Sequence, residues 1–243
     1  MVNKYTLKTS EDQSFFEEKT FDLMVVSGWQ RLIPDKILET LKIGSIGIHG
    51  SSELLPKNRG RSPKVWSLIE DKKRFIMQFF MMKPGVDDGD IFHYSTFDIN
   101  EWDTIQTLYH KNSIITKRTL LDWIPRLLNH DFKPIPQSGT PSYYPKRTPD
   151  DGHLDWNNDM RFIYNFVRAQ THPYPGAFSN LDSVRVYFWK CQPFDTLIQY
   201  SKSLNGQVLE VFPNGDFLVK CGDGSILVTE SNEIEVKVGQ IFK

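Results

Sequence analysis

The stretch Ile48-His49-Gly50-Ser51-Ser52-Glu53-Leu54-Leu55-Pro56-Lys57-Asn58-Arg59-Gly60, answered by Gly85-Val86-Asp87-Asp88-Gly89-Asp90, decides how this chain is read. The first segment follows an apolar run and puts a histidine on a loop at a strand end. The second puts a carboxylate on another loop further along. Two such loops can meet in one cleft, and a His–Asp pair there is the minimal apparatus for moving a proton. Each half has a plainer reading. A histidine after a strand is more often a structural hydrogen-bonding group, and Asp and Gly together favour a tight turn. The surroundings of His49 add to the sharper reading: Leu55 to Arg61 is a rigid basic loop, and Lys57, Arg59 and Arg61 can hold an anion. Taken singly, each of those cations also fits an ordinary solvated turn. Asp87 reaching His49 would hold the imidazole's orientation and favour its protonated form. As a calcium loop the Gly85–Asp90 segment fails, because the regularly spaced oxygen ligands and terminal Glu are missing.

Working outward, Ser10–Thr20 predicts a short helix with Ser10 as its cap. Phe21–Ser27 predicts a buried parallel strand, followed by a helix over Pro34–Leu41 and a second strand over Ile43–His49. A helix over Val65–Glu70 and a strand over Arg74–Met82 come next. Apolar spacing then predicts two helices, Asp103–Lys111 and Thr119–Asn129. The five prolines of Pro134–Pro149 predict an extended crossing segment. Helical spacing resumes over Asn158–Ala169 and ends at the turn Pro173-Tyr174-Pro175-Gly176. From Ser183 onward the pattern becomes short strands: Val184–Trp189, Gly206–Phe212, Asp216–Lys220 and Ser225–Thr229. Asn214-Gly215 and Gly222-Asp223-Gly224 supply hairpin turns. The whole predicts an α/β domain over residues 1–180 and a small C-terminal β domain over 181–243.

Composition narrows the function. At 243 residues, with 39% hydrophobic and 13% aromatic content, the chain is that of a globular protein. A formal charge of −1 argues against a broad nucleic-acid or anionic-membrane surface. Cys191 and Cys221 have no ligand-like neighbours, so neither a disulfide framework nor a cysteine-rich zinc site is expected. The other histidines (His93, His110, His130, His153 and His172) share no metal-like spacing, and no metal is assigned. With no apolar leader and no run long enough to span a bilayer, the expected location is cytoplasmic. No Gly-x-Ser-x-Gly elbow, P-loop or Gly-x-Gly-x-x-Gly occurs, which weakens hydrolase, NTPase and dinucleotide readings.

The His49–Gly60 run followed by Gly85–Asp90 resembles the formyltransferases that use N10-formyltetrahydrofolate. Two further segments, Tyr144–Trp156 and Phe166–Phe178, are similar to the branch that acts on nucleotide-linked sugars. The order and spacing of these four motifs make the likeness specific, over roughly residues 20–230. The resemblance implies a Rossmann-like domain of the methionyl-tRNA formyltransferase type. It implies His49 and Asp87 as catalytic residues and N10-formyltetrahydrofolate as formyl donor. Trp29, Gln30, Ile33, Gly85 and Asp90 would line the donor's pocket, with core packing an equal reading for Trp29 and Ile33. Lys57 and Arg59 would meet the anionic part of the acceptor.

Two departures accompany the likeness. The family's oxyanion-stabilising asparagine stands two residues before the histidine, where this chain has Gly47. The family's first strand–helix–strand unit also has no counterpart ahead of Phe21–Ser27. A sheet without that unit would expose an apolar edge, which predicts self-association as a homodimer. The reaction expected is formyl transfer to the amine of a nucleotide-linked amino-deoxysugar, a step of lipopolysaccharide or glycan biosynthesis. The alternatives are a non-catalytic or truncated member that binds folate or nucleotide sugar, and a methionyl-tRNA formyltransferase-like enzyme.

Overall fold

The apolar run after Lys72-Lys73-Arg74 builds the middle of the first sheet. The computed structural model describes residues 7–29, 31–198 and 200–243. The chain forms two units: residues 1–63, 74–98 and 110–145, and residues 64–73, 99–109 and 146–243. The first unit holds α1 (Ser10–Glu18), β1 (Leu23–Val26), α2 (Asp35–Leu38), β2 (Gly44–Ser51) and the two-residue strand β3 (Arg59–Gly60). After α3 (Pro63–Ile69), which belongs almost wholly to the second unit, come β4 (Arg74–Met81), β5 (Asp90–Asp98), the helix α4 (Ile105–Leu128) and β6 (Tyr143–Tyr144).

The first sheet has the order β1-β2-β4-β5, with β1 parallel to β2 and the other two pairs antiparallel. Because β4 lies inside the sheet, Phe75, Met77, Phe79 and Phe80 are all buried, and the run is apolar on both faces. Burying each such side chain contributes roughly 1.5–3 kcal/mol. Gln78, fully buried in the same strand, is the polar exception and faces His49 across the β2–β4 ladder.

Several sequence expectations change in detail. Thr9, not Ser10, caps α1, because Thr9 keeps an extended backbone while its hydroxyl accepts from Asp12 N–H and its own N–H donates to the Asp12 carboxylate. Strand β1 is parallel, as expected, but lies at the sheet's edge with Val25 exposed. The sheet as a whole is mixed rather than parallel, since β4 and β5 return as an antiparallel pair. The two helices expected over Asp103–Lys111 and Thr119–Asn129 are one continuous 24-residue helix.

The second unit contains a short 3-10 turn (Pro149–Gly152), α5 (Met160–Gln170) and the strands β7 (Ala177–Leu181), β8 (Val184–Asp195), β9 (Val208–Val211), β10 (Phe217–Lys220) and β11 (Ser225–Ser231). Its sheet is antiparallel throughout, in the order β7-β8-β11-β10-β9. Asp159 caps α5 by accepting from Phe162 N–H, and the helix buries Ile163, Phe166 and Val167. That apolar stripe packs on β8, so α5 joins the β unit rather than the α/β unit, and the units do not divide at the expected 180/181. No helix among the described residues is long and apolar enough to cross a membrane.

Candidate active site

His49 stands near the end of β2, 6% exposed. Its Nε2 lies 2.8 Å from the carbonyl oxygen of Asn58, and its Nδ1 lies 3.3 Å from Asp87 Oδ2. The carbonyl can only accept, so Nε2 carries a proton. Nδ1 is therefore the nitrogen that faces the Asp87 carboxylate. The sequence expected His49 on a loop; it lies instead within β2, two residues before the strand ends, and the Asp87 loop comes to it.

The loop after β2 is fixed from both sides. Gln78 accepts from Leu55 N–H at 2.7 Å and donates to the Glu53 carbonyl at 3.2 Å. Ser142 accepts from Asn58 N–H at 2.9 Å through its hydroxyl, and its carbonyl accepts from Arg59 N–H at the same distance. Asn58 itself takes a positive φ of 56°, which turns its carbonyl toward His49. These contacts place an acceptor under Nε2 that no local sequence pattern announces.

Asp87 also has a positive φ, 49°, and its side chain is 24% exposed. Its Oδ2 accepts from Gly60 N–H at 3.1 Å as well as facing His49. Gln137, from the proline-rich crossing segment, donates to the carbonyls of Asp87 and Gly89, both at 2.8 Å. Gly85 belongs to the same turn, where any Cβ would collide with the folded-back Asp88 carboxylate. Asp90 is held at 2.7 Å by Lys83 at the start of β5.

The remaining expected residues divide. Ile33 is 3% exposed in an apolar cluster with Leu7 and Ile37, and Trp29 packs partly buried against that cluster. Gln30 lies outside the described residues. Lys57 is exposed, whereas Arg59 is 8% exposed and donates to Gln137 Oε1 at 2.6 Å and to the Tyr143 hydroxyl at 3.4 Å. Arg59 is thus turned into the loop and Lys57 out of it.

Gly47 has a steric explanation. A Cβ there would lie far inside contact with the Phe80 ring and 2.9 Å from Met82 Cγ. Phe80 is its cross-strand neighbour, 3% exposed. The space that a side chain would need is already filled.

The second unit has a cavity of about 380 Å³, lined in part by Arg161, Tyr164, Arg168, Trp189 and Cys191, and it contains neither His49 nor Asp87. Two of its cations are committed: Arg161 to Asp71 at 2.7 Å, and Arg168 to the carbonyls of Asn100 and Asp103 at 2.7 and 2.8 Å. Burial pushes the Cys191 thiol far above its ordinary range, which removes it as a nucleophile near neutral pH.

Residues 3–124 match the family described as Formyl transferase, and residues 146–239 match the Formyl transferase C-terminal domain. The chain belongs to the formyl transferase family. Its α/β domain and following β domain are those of the family. The bifunctional polymyxin resistance protein ArnA of Wigglesworthia glossinidia brevipalpis is 36% identical over 170 residues, 70% of this chain and 26% of that protein. The methionyl-tRNA formyltransferase of Thermodesulfovibrio yellowstonii is 34% identical over 171 residues, 70% of this chain and 54% of that protein. The chain thus spans about a quarter of the one and about half of the other.

Among solved structures, a variant of HypX from Aquifex aeolicus has a TM-score of 0.73 at 20% identity, covering 97% of this chain and 42% of that one. The N-formyltransferase from Helicobacter canadensis, in complex with folinic acid and dTDP-3-aminofucose, has a TM-score of 0.65 at 18% identity, covering 88% and 77%. Both likenesses concern the fold.

Proposed function

We propose that this formyltransferase moves the formyl group of N10-formyltetrahydrofolate to the amine of a nucleotide-linked amino-deoxysugar. The observation that carries the proposal is the His49 Nδ1–Asp87 Oδ2 contact of 3.3 Å. The acceptor amine attacks the formyl carbon, forming a C–N bond and a tetrahedral intermediate. The attacking nitrogen gives up a proton to the His49–Asp87 pair. The bond to N10 then breaks, and the pair returns a proton to N10 as tetrahydrofolate leaves. Atoms and charge balance without any further reactant.

In this reading Asp87, 24% exposed, is the side of the pair that a substrate amine meets, with His49 enclosed behind it. The oxyanion receives no help from position 47, because Phe80 fills that space. Both His49 nitrogens already have acceptors, and the longer Nδ1 contact is the one that can open to a developing oxyanion. Lys57, exposed on the loop, is the cation proposed to meet the anionic part of the acceptor, and Arg59 stiffens the loop from within. For the donor pocket we propose Trp29, Gln30, Ile33, Gly85 and Asp90.

The sugar acceptor is supported by the motifs at Tyr144–Trp156 and Phe166–Phe178 and by a net charge of −1, which disfavours a polyphosphate partner. The identity with a methionyl-tRNA formyltransferase favours the second reading, formylation of charged initiator tRNA. A panel assay separates them. The chain is incubated with N10-formyltetrahydrofolate and either amino-sugar nucleotides or methionyl-tRNA, and formylated product is measured. Product from an amino-sugar nucleotide alone is expected. Product from methionyl-tRNA alone would replace the sugar reading, and product from neither would overturn the transfer.

A further inference from the structure

The crossing segment rich in proline fastens at two places within the first unit. Ile135 and Ile91 exchange backbone hydrogen bonds of 2.8 and 2.9 Å, and β6 pairs with β3 at Tyr143 and Arg59. Gln137 lies between those fastenings. Its amide is fully used: two N–H donors reach the carbonyls of Asp87 and Gly89, and the oxygen accepts from Arg59 Nη2 at 2.6 Å. Reversing the amide would set an oxygen against two carbonyls and an NH2 against a guanidinium, so only one orientation fits.

We propose that Gln137 is a positioning residue that aims the Asp87 carboxylate at His49. The proposal rests on the formyl-transfer reading for its catalytic meaning, but not for its geometry. Asp87 occupies the left-handed region with a φ of 49°, which residues with a side chain seldom adopt. A loop strained in that way keeps its shape only where its surroundings impose it. Gln137 imposes it by gripping carbonyls on both sides of Asp88. With those peptides fixed, Asp87 Oδ2 is set between Gly60 N–H and His49 Nδ1.

Arg59 gives the grip its direction. Its guanidinium is almost fully enclosed, and its charge draws on the Gln137 oxygen, which strengthens the N–H groups as donors. The contacts close into a ring. Asn58, adjacent to Arg59, accepts from His49 Nε2, and Gln137 returns from Arg59 to Asp87 and so to His49 Nδ1. Each side of the imidazole is therefore set by the same strap. Gln137 does not touch the imidazole and acts on it through Asp87.

The test needs a readout that a purely structural residue would not move. The imidazole of His49 is followed by nitrogen NMR against pH in the full chain, with His49→Asn used for assignment. Gln137→Leu removes the grip, and Gln137→Met keeps length and reach while removing both donors and adding no charge. Loss of an adjacent carboxylate lowers an imidazole's midpoint by about 1 unit or more. We expect both Gln137 variants to shift the His49 midpoint downward toward that of Asp87→Asn. In the Asp87→Asn background, Gln137→Leu is expected to add no further shift. In the formyl-transfer assay kcat falls about 10- to 100-fold with KM little changed. A His49 midpoint unchanged in a folded Gln137 variant would overturn the proposal, even if thermal stability fell. If wild-type chain transfers no formyl group, the NMR arm still decides the positioning role, while that failure counts against the reaction alone.

Discussion

Replacing Gly47 by alanine adds one methyl group where two effects of opposite sign compete. Glycine inside a strand is less stable than alanine by roughly 0.5–1 kcal/mol, so propensity alone predicts a more stable protein. Packing predicts the reverse. The new Cβ would fall well inside contact with Phe80 Cε2 and Cζ, and 2.9 Å from Met82 Cγ. Carbon atoms prefer about 3.5–4.0 Å, so the ring must withdraw by about 1 Å or more. Phe80 is 3% exposed within β4 and has little room to do so. Overpacking of this kind costs about 1–3 kcal/mol, which leaves Gly47→Ala less stable by about 1 kcal/mol net, within a span of about 0 to 2.5.

Urea denaturation at neutral pH measures that difference directly. The control is Phe80→Leu, which lacks the ring atoms that collide. In that background the alanine penalty should vanish, a coupling of about 1 kcal/mol or more. A Gly47→Ala protein more stable than its parent would refute the reasoning. So would an equal penalty with and without the Phe80 ring. The same crowding means that Gly47→Asn alone does not place a side-chain donor beside His49.

Other perturbations follow from the same contacts. Gln78→Leu leaves Leu55 N–H without its buried partner, while the Glu53 carbonyl keeps the Ser51 hydroxyl, and should cost about 1–3 kcal/mol measured by urea denaturation. Burial alone would raise the Asp71 carboxyl, but hydrogen bonds from Arg161, Lys73 and Asn165 pull it down to about 2. Its ionised form therefore stabilises the fold above the ordinary carboxylate value near 3.8, and that contribution disappears as pH falls through about 2. Asp71→Asn should lose about 1 kcal/mol at pH 7, discounted because the side chain is 35% exposed, and nothing near pH 2. A difference that stays constant from pH 7 to pH 2 would contradict this. Burial also raises both thiols, Cys221 to about 11, so reaction with a disulfide reagent at pH 8 should be about 100-fold slower than for a free thiol until denaturant is added.

How much was legible in the sequence varied with how local the cause was. The approach of Asp87 to His49 could be read because Gly85–Asp90 has strong turn chemistry and His49 closes a short apolar run. The central strand could be read from its apolar run. Strand β5 could not, because its outer half alternates exposed and partly buried polar residues (Tyr94, Ser95 and Thr96) and resembles a loop. The continuity of α4 was hidden by Asn112, Ser113 and the β-branched Ile114 to Thr116, which weaken local helix propensity without breaking it. The filling of position 47 depends on which residue of β4 lies opposite, and register is not written at either site. Gln137 carried no signal of its own. The long-range pairings of Ile135 with Ile91 and of β6 with β3 bring it to the Asp87 loop.

The central claim is that the His49–Asp87 pair moves the proton in formyl transfer. The most direct measurement is the turnover of His49→Asn and Asp87→Asn against the parent, with saturating N10-formyltetrahydrofolate and the acceptor identified by the panel. Removal of a general acid–base group should lower kcat by about 10²- to 10⁴-fold while circular dichroism shows the fold intact. Full turnover in either folded variant would contradict the claim.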